Sequence, residues 1–322
     1  MKIKAVAATT HIDRHNCKIT KEALEDAVNK IKNGDSVPAM CLGHDMAVPP
    51  LGKITDAWLE PMEDGEYKML IIQETFDSYK EITLPDGSVA YEEFLPDNNK
   101  PFSLKLDKKA PDKLQIHTDF VNFESKKEYE SFVNDIKNVG DFEEKHIGRK
   151  ALIPDPEIII TLTHGLIAYI VSKKIIDKAT DKIIDSMVND ISKLYDVIKC
   201  EIVSAAKHVI PKNRPITYIF EAPGEVGVEF LARTNDPNMI LSALEKNKLQ
   251  DCFEKVDNLK RTINADKVQF ILNDDGIWEF NFLLTKSGHV IGTPESHKRR
   301  ERRFKLMEEE IKSQENKRCE NE

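Results

Sequence analysis

Residues 268–285 read VQFILNDDGIWEFNFLLT. Two apolar runs of strand length flank an Asp-Gly pair. Asp-Gly suits a tight hairpin, because glycine takes a positive φ without steric cost. The segment therefore predicts an antiparallel hairpin near the C-terminus. Upstream, PITYIFEA (215–222) and VGVEFLAR (226–233) read as two further strands, and DPNMILSALEKN (236–247) as a helix. Downstream, Lys286-Ser287-Gly288 makes a second turn before HVIG (289–292). Strand pairs mixed with helices predict an α+β module with an antiparallel sheet over 211–296.

Before this module, residues 158–171 read IIITLTHGLIAYIV, with ten apolar side chains in fourteen, and Lys173-Lys174 follow. A membrane span needs about 20 apolar residues, so the run reads as a buried core helix or strand. A membrane contact through 158–172 is the alternative. The pattern then continues as a long amphipathic helix to about Lys207, with Ile175, Ile176, Ile183, Ile184, Ile198 and Ile202 near a 3.6-residue period. The apolar segment and helix together occupy 154–210.

The first 125 residues read as β-rich with one helix. KIKAVAAT, VPAMCLGHD, LGKITDAWLE, EYKMLIIQETF, PFSLKL and KLQIHTDFVNF are strand candidates, separated by turn chemistry. Thr20 precedes KEALEDAVNKIKNG as a helix N-cap, with Gly34 as its stop. Residues 126–153 read as a surface helix plus linker, and 297–322 as a charged tail. In that tail KRRERRFK (298–305) carries six basic residues in eight. It reads as a solvated helix, with a nucleic-acid or anionic-lipid patch as the alternative. Trp58 and Trp278 are expected to anchor two separate cores.

The chain of 322 residues carries 47 Lys+Arg against 56 Asp+Glu, a net charge of −9. That balance argues against general nucleic-acid binding, which needs a basic face. The five cysteines are odd in number and form no CxxC, so a disulfide framework is not expected and a reducing cytoplasm fits. The N-terminal MKIKAVAATTHIDRH has no signal-peptide core.

Nucleophilic chemistry centres on His44 and Ser103. A Ser hydroxyl needs a base to take its proton, and His is the usual one near neutral pH. A third group must orient the imidazole. In LQIHTDFVNF strand alternation puts His117 and Asp119 on one face, and either is a candidate for that role.

The order of these features resembles the prohead, or capsid-maturation, serine proteases of tailed phages, whose clan includes the herpesvirus assembly proteases. HIDRHNCKITKEALEDAV resembles the family's opening, with Asn16-Cys17 where Gly-Asp is usual. VPAMCLGHD resembles the strand ending in an "NHD" catalytic histidine, with Gly43 in place of Asn. PPLGKITDAWLE resembles the "iGkv" strand. PFSLKL resembles the nucleophile strand "lSiGf", with Leu104-Lys105 replacing Ile-Gly. The resemblance covers residues 1–125. It implies a protease-like barrel domain, with His44 as general base, Ser103 as nucleophile and a third member from a later strand, where His117, Asp119 and Glu124 are placed. It implies a protein or peptide substrate, either the chain itself or one dedicated assembly partner, and a homo-oligomer. The alternative is a catalytically inactive assembly or interaction protein in a phage or defence setting.

No cofactor or metal is expected. His11, His15 and Cys17, with Cys41 or His44, are the closest approach to a zinc set, but HxxxHxC is not a finger spacing. Gly224 and Gly227 lack the GxGxxG pattern of a nucleotide loop. Glu221 and Glu229 flank a Gly-containing turn and read either as a carboxylate pair or as a solvated hairpin. His164 reads as a core histidine.

Overall fold

A computed structural model describes residues 1–12, 18–104, 106–147, 155–172 and 181–319. The N-terminal elements are β1 (Lys2–Thr9), α1 (Lys21–Asn33), β2 (Ala39–Met40), β3 (Gly52–Pro61), β4 (Tyr67–Thr75), β5 (Lys80–Thr83) and β6 (Val89–Glu93). Then come β7 (Gln115–Thr118), α2 (Lys126–Lys137), β8 (Glu143–His146), β9 (Glu157–Thr161), α3 (His164–Val171) and α4 (Asp181–His208). The chain continues through β10 (Ile216–Ala222), β11 (Gly227–Thr234), α5 (Pro237–Ala243), α6 (Lys246–Ile263), β12 (Ala265–Leu272), β13 (Trp278–Thr285), β14 (Val290–Gly292) and α7 (Pro294–Cys319). The fold class is α+β, as expected. Two compact units divide the chain: Met1–Lys105 with Phe282–Glu322, and Leu106–Asn281.

In the first unit the expected β-rich domain takes the form of a curled antiparallel sheet in the order β1-β4-β3-β2. Register shifts at Val6/Ala8 and at Ile54/Asp56 bend its strands. Helix α1 lays Ile31 on Ala57 and Ile71, with Val28, Ile54 and Met69 around them. Thr20 caps it, its hydroxyl accepting the Ala23 N–H at 3.2 Å. Gly34 ends it with an extended backbone, and a Cβ there would run into the Lys30 carbonyl.

The expected charged tail is the helix α7, clasped onto this unit. Arg300 holds the buried Glu93 of β6 with two bonds of 2.8 and 2.7 Å, and His297 Nε2 lies 3.1 Å from the same carboxylate. Despite its buried site, Glu93 stays below the usual carboxylate range, because His297 and Arg300 hydrogen-bond its charged form.

The second unit differs from the all-antiparallel expectation. Its sheet is mixed: β9 lies parallel to β10 and β11 parallel to β12, while β10 and β11 pair antiparallel. The connections explain this. The chain passes from β9 to β10 through α3 and α4, and from β11 to β12 through α5 and α6, and helical crossovers return strands in parallel. The apolar run of 158–171 divides into β9, buried at every position, and the short helix α3. Among the described residues no helix is long and apolar enough to cross a membrane.

One face of this sheet is apolar. Ile160, Phe220, Phe230 and Phe270 lie side by side across four strands and are fully buried. Phe253 of α6 and Trp278 pack on Phe230. The helix expected at the start of 126–153 is α2, and its Tyr129, Phe132, Val133 and Ile136 are buried. His208 at the end of α4 ties the two helices together, with Nδ1 2.8 Å from Glu128 and Nε2 3.2 Å from Asp135.

Candidate functional site

His44 and Ser103 both belong to the first unit, and both are linked to the segment 36–40, Ser103 by backbone hydrogen bonds and His44 through the chain that follows it. The Val37 N–H donates to the Pro101 carbonyl at 2.9 Å and the Ser103 N–H donates to the Val37 carbonyl at 2.8 Å. This short parallel bridge turns Phe102 into a core with Phe282, Leu284 and Val290. Alternation then turns Ser103 outward, and it is exposed. The fully buried Lys53, its ammonium 5.2 Å from the centre of the Phe102 ring, donates to the carbonyls of Asn98 and Lys100 at 2.6 and 2.9 Å. Burial pulls this ammonium down to about 8.

The same segment runs through β2 into a turn that carries His44. Gly43 and His44 both have φ of 59°, and the Asp45 N–H closes back on the Leu42 carbonyl at 3.1 Å. Two successive left-handed residues make a turn of the I′ kind, in which glycine and asparagine are the favoured occupants. Glycine takes the first of these positions without steric cost. A histidine at positive φ is uncommon and strained. The anchor is Asp45: it is buried, accepts the Ala47 N–H at 2.9 Å and lies 3.5 Å from Arg303 Nε of α7. The imidazole of His44 is exposed.

The hydroxyl of Ser103 hydrogen-bonds that of Ser36 at 2.8 Å. Its side-chain partner is thus a second hydroxyl rather than the His44 ring. The proposed third members lie in the second unit. Asp119 caps the short 3-10 turn Phe120–Asn122 by accepting the Val121 N–H at 3.1 Å. Glu124 is exposed. His117 is bonded to Thr161. Lys105, which departs from the resembled motif, lies outside the described residues, as do His15 and Cys17 of the zinc alternative. His11 meets Asp64 at 2.7 Å, and among the described residues no cluster of three or more ligating side chains could hold a metal. His164 is exposed rather than a core residue.

Comparison with protein-family models, curated proteins and solved structures returns no match.

The second unit holds a polar constellation that single-sequence reading missed. On the sheet face opposite the phenylalanines, one row in register runs Glu143, Gln115, Thr161, Glu221, Glu229, Gln269. Neighbours are hydrogen-bonded: Gln115 to Glu143 at 2.7 Å, Thr161 to Glu221 at 2.9 Å, and Gln269 to Glu229 at 2.9 Å. Lys267 donates to both oxygens of Glu229 at 2.9 Å, and Asn281 donates to Gln269 at 2.7 Å. Glu221 and Glu229 are Cα partners and both are buried, so the solvated-hairpin alternative does not hold. Buried charges survive only when paired in this way. The one sequence signal was the Glu221/Glu229 pair.

Proposed function

We propose that the chain is a serine peptidase in which Ser103 is the nucleophile and His44 the proton acceptor, with a protein or peptide as substrate. The observation that carries the proposal is the shared segment Ser36–Met40. It fixes the Ser103 backbone along one side and leads into the strained, anchored turn that presents His44. Strained backbone persists where the surroundings over-determine it, and functional sites are where it clusters. Both side chains are open to a substrate. Ser36 fits the chemistry when it is the donor, since Ser103 then keeps its own proton for a base. Attack of Ser103 Oγ on a peptide carbonyl transfers that proton to His44. Backbone amides stabilise the oxyanion, the amine leaves with the proton, and water releases the acyl group. Cleavage of the chain itself or of one assembly partner, a homo-oligomeric state and a cytoplasmic setting belong to the same proposal.

The Ser103–Ser36 hydrogen bond favours a second reading, a protease-like assembly protein without acyl chemistry, because a hydroxyl held only by another hydroxyl is not activated. Labelling of the full chain with a fluorophosphonate probe separates the two. The peptidase reading expects labelling of the parent and of Ser36→Ala, and none in Ser103→Ala or His44→Gln of unchanged circular dichroism. An unlabelled parent, or a Ser103→Ala variant labelled as strongly as the parent, overturns it in favour of the second.

A further inference from the structure

The bonding around His117 determines which of its ring nitrogens carries the proton. Thr161 has one hydroxyl hydrogen, and it is directed at Glu221 Oε2, 2.9 Å away. The Thr161 oxygen therefore meets His117 Nε2, at 3.1 Å, with a lone pair. A lone pair must be met by a donor, so Nε2 carries the proton and Nδ1 carries the free in-plane pair. The register builds this chain: Thr161 and Glu221 are directly opposed on β9 and β10, and His117 on β7 reaches Thr161 from the diagonal position. A carboxylate that orients an imidazole through a hydroxyl does what the third member of a hydrolytic triad does. His117 is half-buried, on a strand rather than a loop.

We infer that His117 is the proton acceptor of a second site, on the sheet of the Leu106–Asn281 unit, with Thr161 and Glu221 as its positioning residues and Nδ1 as the basic atom. Its ligand class is a molecule that presents an O–H donor to Nδ1, an alcohol or a water molecule. The charged groups acting on the ring fit this role. Burial is the main force lowering its pKa and Lys145 of β8 adds to it, while Glu143 of β8 opposes them, so the neutral ring prevails at neutral pH. The inference is independent of Ser103 and His44.

The test is long-range ¹H–¹⁵N correlation NMR on the full chain labelled with ¹⁵N-histidine, with the His117 signals assigned by their loss in His117→Asn. At pH 7.5 the expected result is a protonated Nε2 and an unprotonated Nδ1. Thr161→Val should lose this bias and give a tautomer mixture, and Thr161→Ser should restore it. Diethyl pyrocarbonate, which acylates an unprotonated ring nitrogen and expels ethyl carbonate, should modify His117 in the parent. A protonated Nδ1 or an imidazolium in the parent at pH 7.5, or an unchanged tautomer in a folded Thr161→Val, overturns the inference. So does a His117 ring inert to the reagent in the parent.

Discussion

Glu201 offers the sharpest quantitative test of the second unit. It lies on α4 within the stripe of Val197, Ile198, Ile202 and Ala205, is 0% exposed, and has no hydrogen-bond partner for either carboxyl oxygen. Burial alone drives its pKa well above the ordinary glutamate value of 4.5. The sign follows from proton uptake. Above pH 4.5 the unfolded chain releases this proton and the folded chain keeps it, so rising pH favours unfolding. Stability associated with the group is complete below the unfolded value and is lost as pH climbs toward the folded one. While the folded carboxyl stays protonated, each pH unit costs about 1.4 kcal/mol. Glu201→Gln has nearly the same shape and no proton to lose. Its stability relative to the parent should therefore improve as pH rises above 5.5, with a slope of at most about 1.4 kcal/mol per pH unit. Urea unfolding in a Trp58→Phe background isolates the signal of Trp278, which is buried in this unit and donates to the Ala243 carbonyl at 2.8 Å. A difference between the two proteins that stays constant from pH 5.5 to 7.5 would refute the reasoning, because it would mean that Glu201 is ionised in the fold.

Three further outcomes concern the first unit. Gly43→Ala should lower stability in urea by about 1 kcal/mol, the order of the penalty for an L-residue at left-handed φ, with Gly43→Asn losing less. Lys53 titrates near 8 in the fold against 10.5 unfolded, so the unfolded chain binds more protons between those values and stability rises with pH across that window, by at most about 3 kcal/mol; Lys53→Met should lack the rise when urea midpoints at pH 7.5 and 10 are compared. Thr20→Ala should cost about 1 kcal/mol in thermal unfolding and Thr20→Ser should recover most of it, since the hydroxyl of Thr20 caps α1.

What the sequence made legible was local. The hairpin of 268–285 is there because Asp-Gly and strand periodicity act within a few residues, and Gly276 takes a φ of 74° in its turn. The cap at Thr20 and strands β1, β3 and β4 follow from the same short-range rules. PFSLKL failed as a strand because, among its described residues, only Phe102 bridges to a neighbour. Parallel pairing was invisible because it depends on how long helical crossovers return, not on any strand's own residues. The polar row was invisible for a related reason. Thr161 and Glu221 are sixty positions apart, and only the register of β9 on β10 makes them neighbours. His117 was picked out by its residue type. Its role could not be, since alternation paired it with Asp119, whereas the fold pairs it diagonally with Thr161.

The basic run KRRERRFK shows how far a charge pattern misleads when its partners are remote. Non-specific binding to a phosphate backbone needs cations projecting together into solvent, each one releasing a counterion. Here Arg300 is spent on Glu93 and Arg303 turns inward to Asp45, both more than two hundred positions away, while Lys298 meets Glu295 on its own helix. Of the exposed residues beyond these, Arg302 and Lys305 are flanked by Glu301 on one side and by Glu308, Glu309 and Glu310 on the other. The run is therefore a clasp that joins the two ends of the chain into one unit. It also reaches the candidate site, since Asp45 adjoins His44 and a Cβ on Gly43 would come within 3.0 Å of Met307 Sδ. The left-handed turn presenting His44 is held by the C-terminal helix, so loss of α7 would remove the anchor of the turn rather than a dispensable tail.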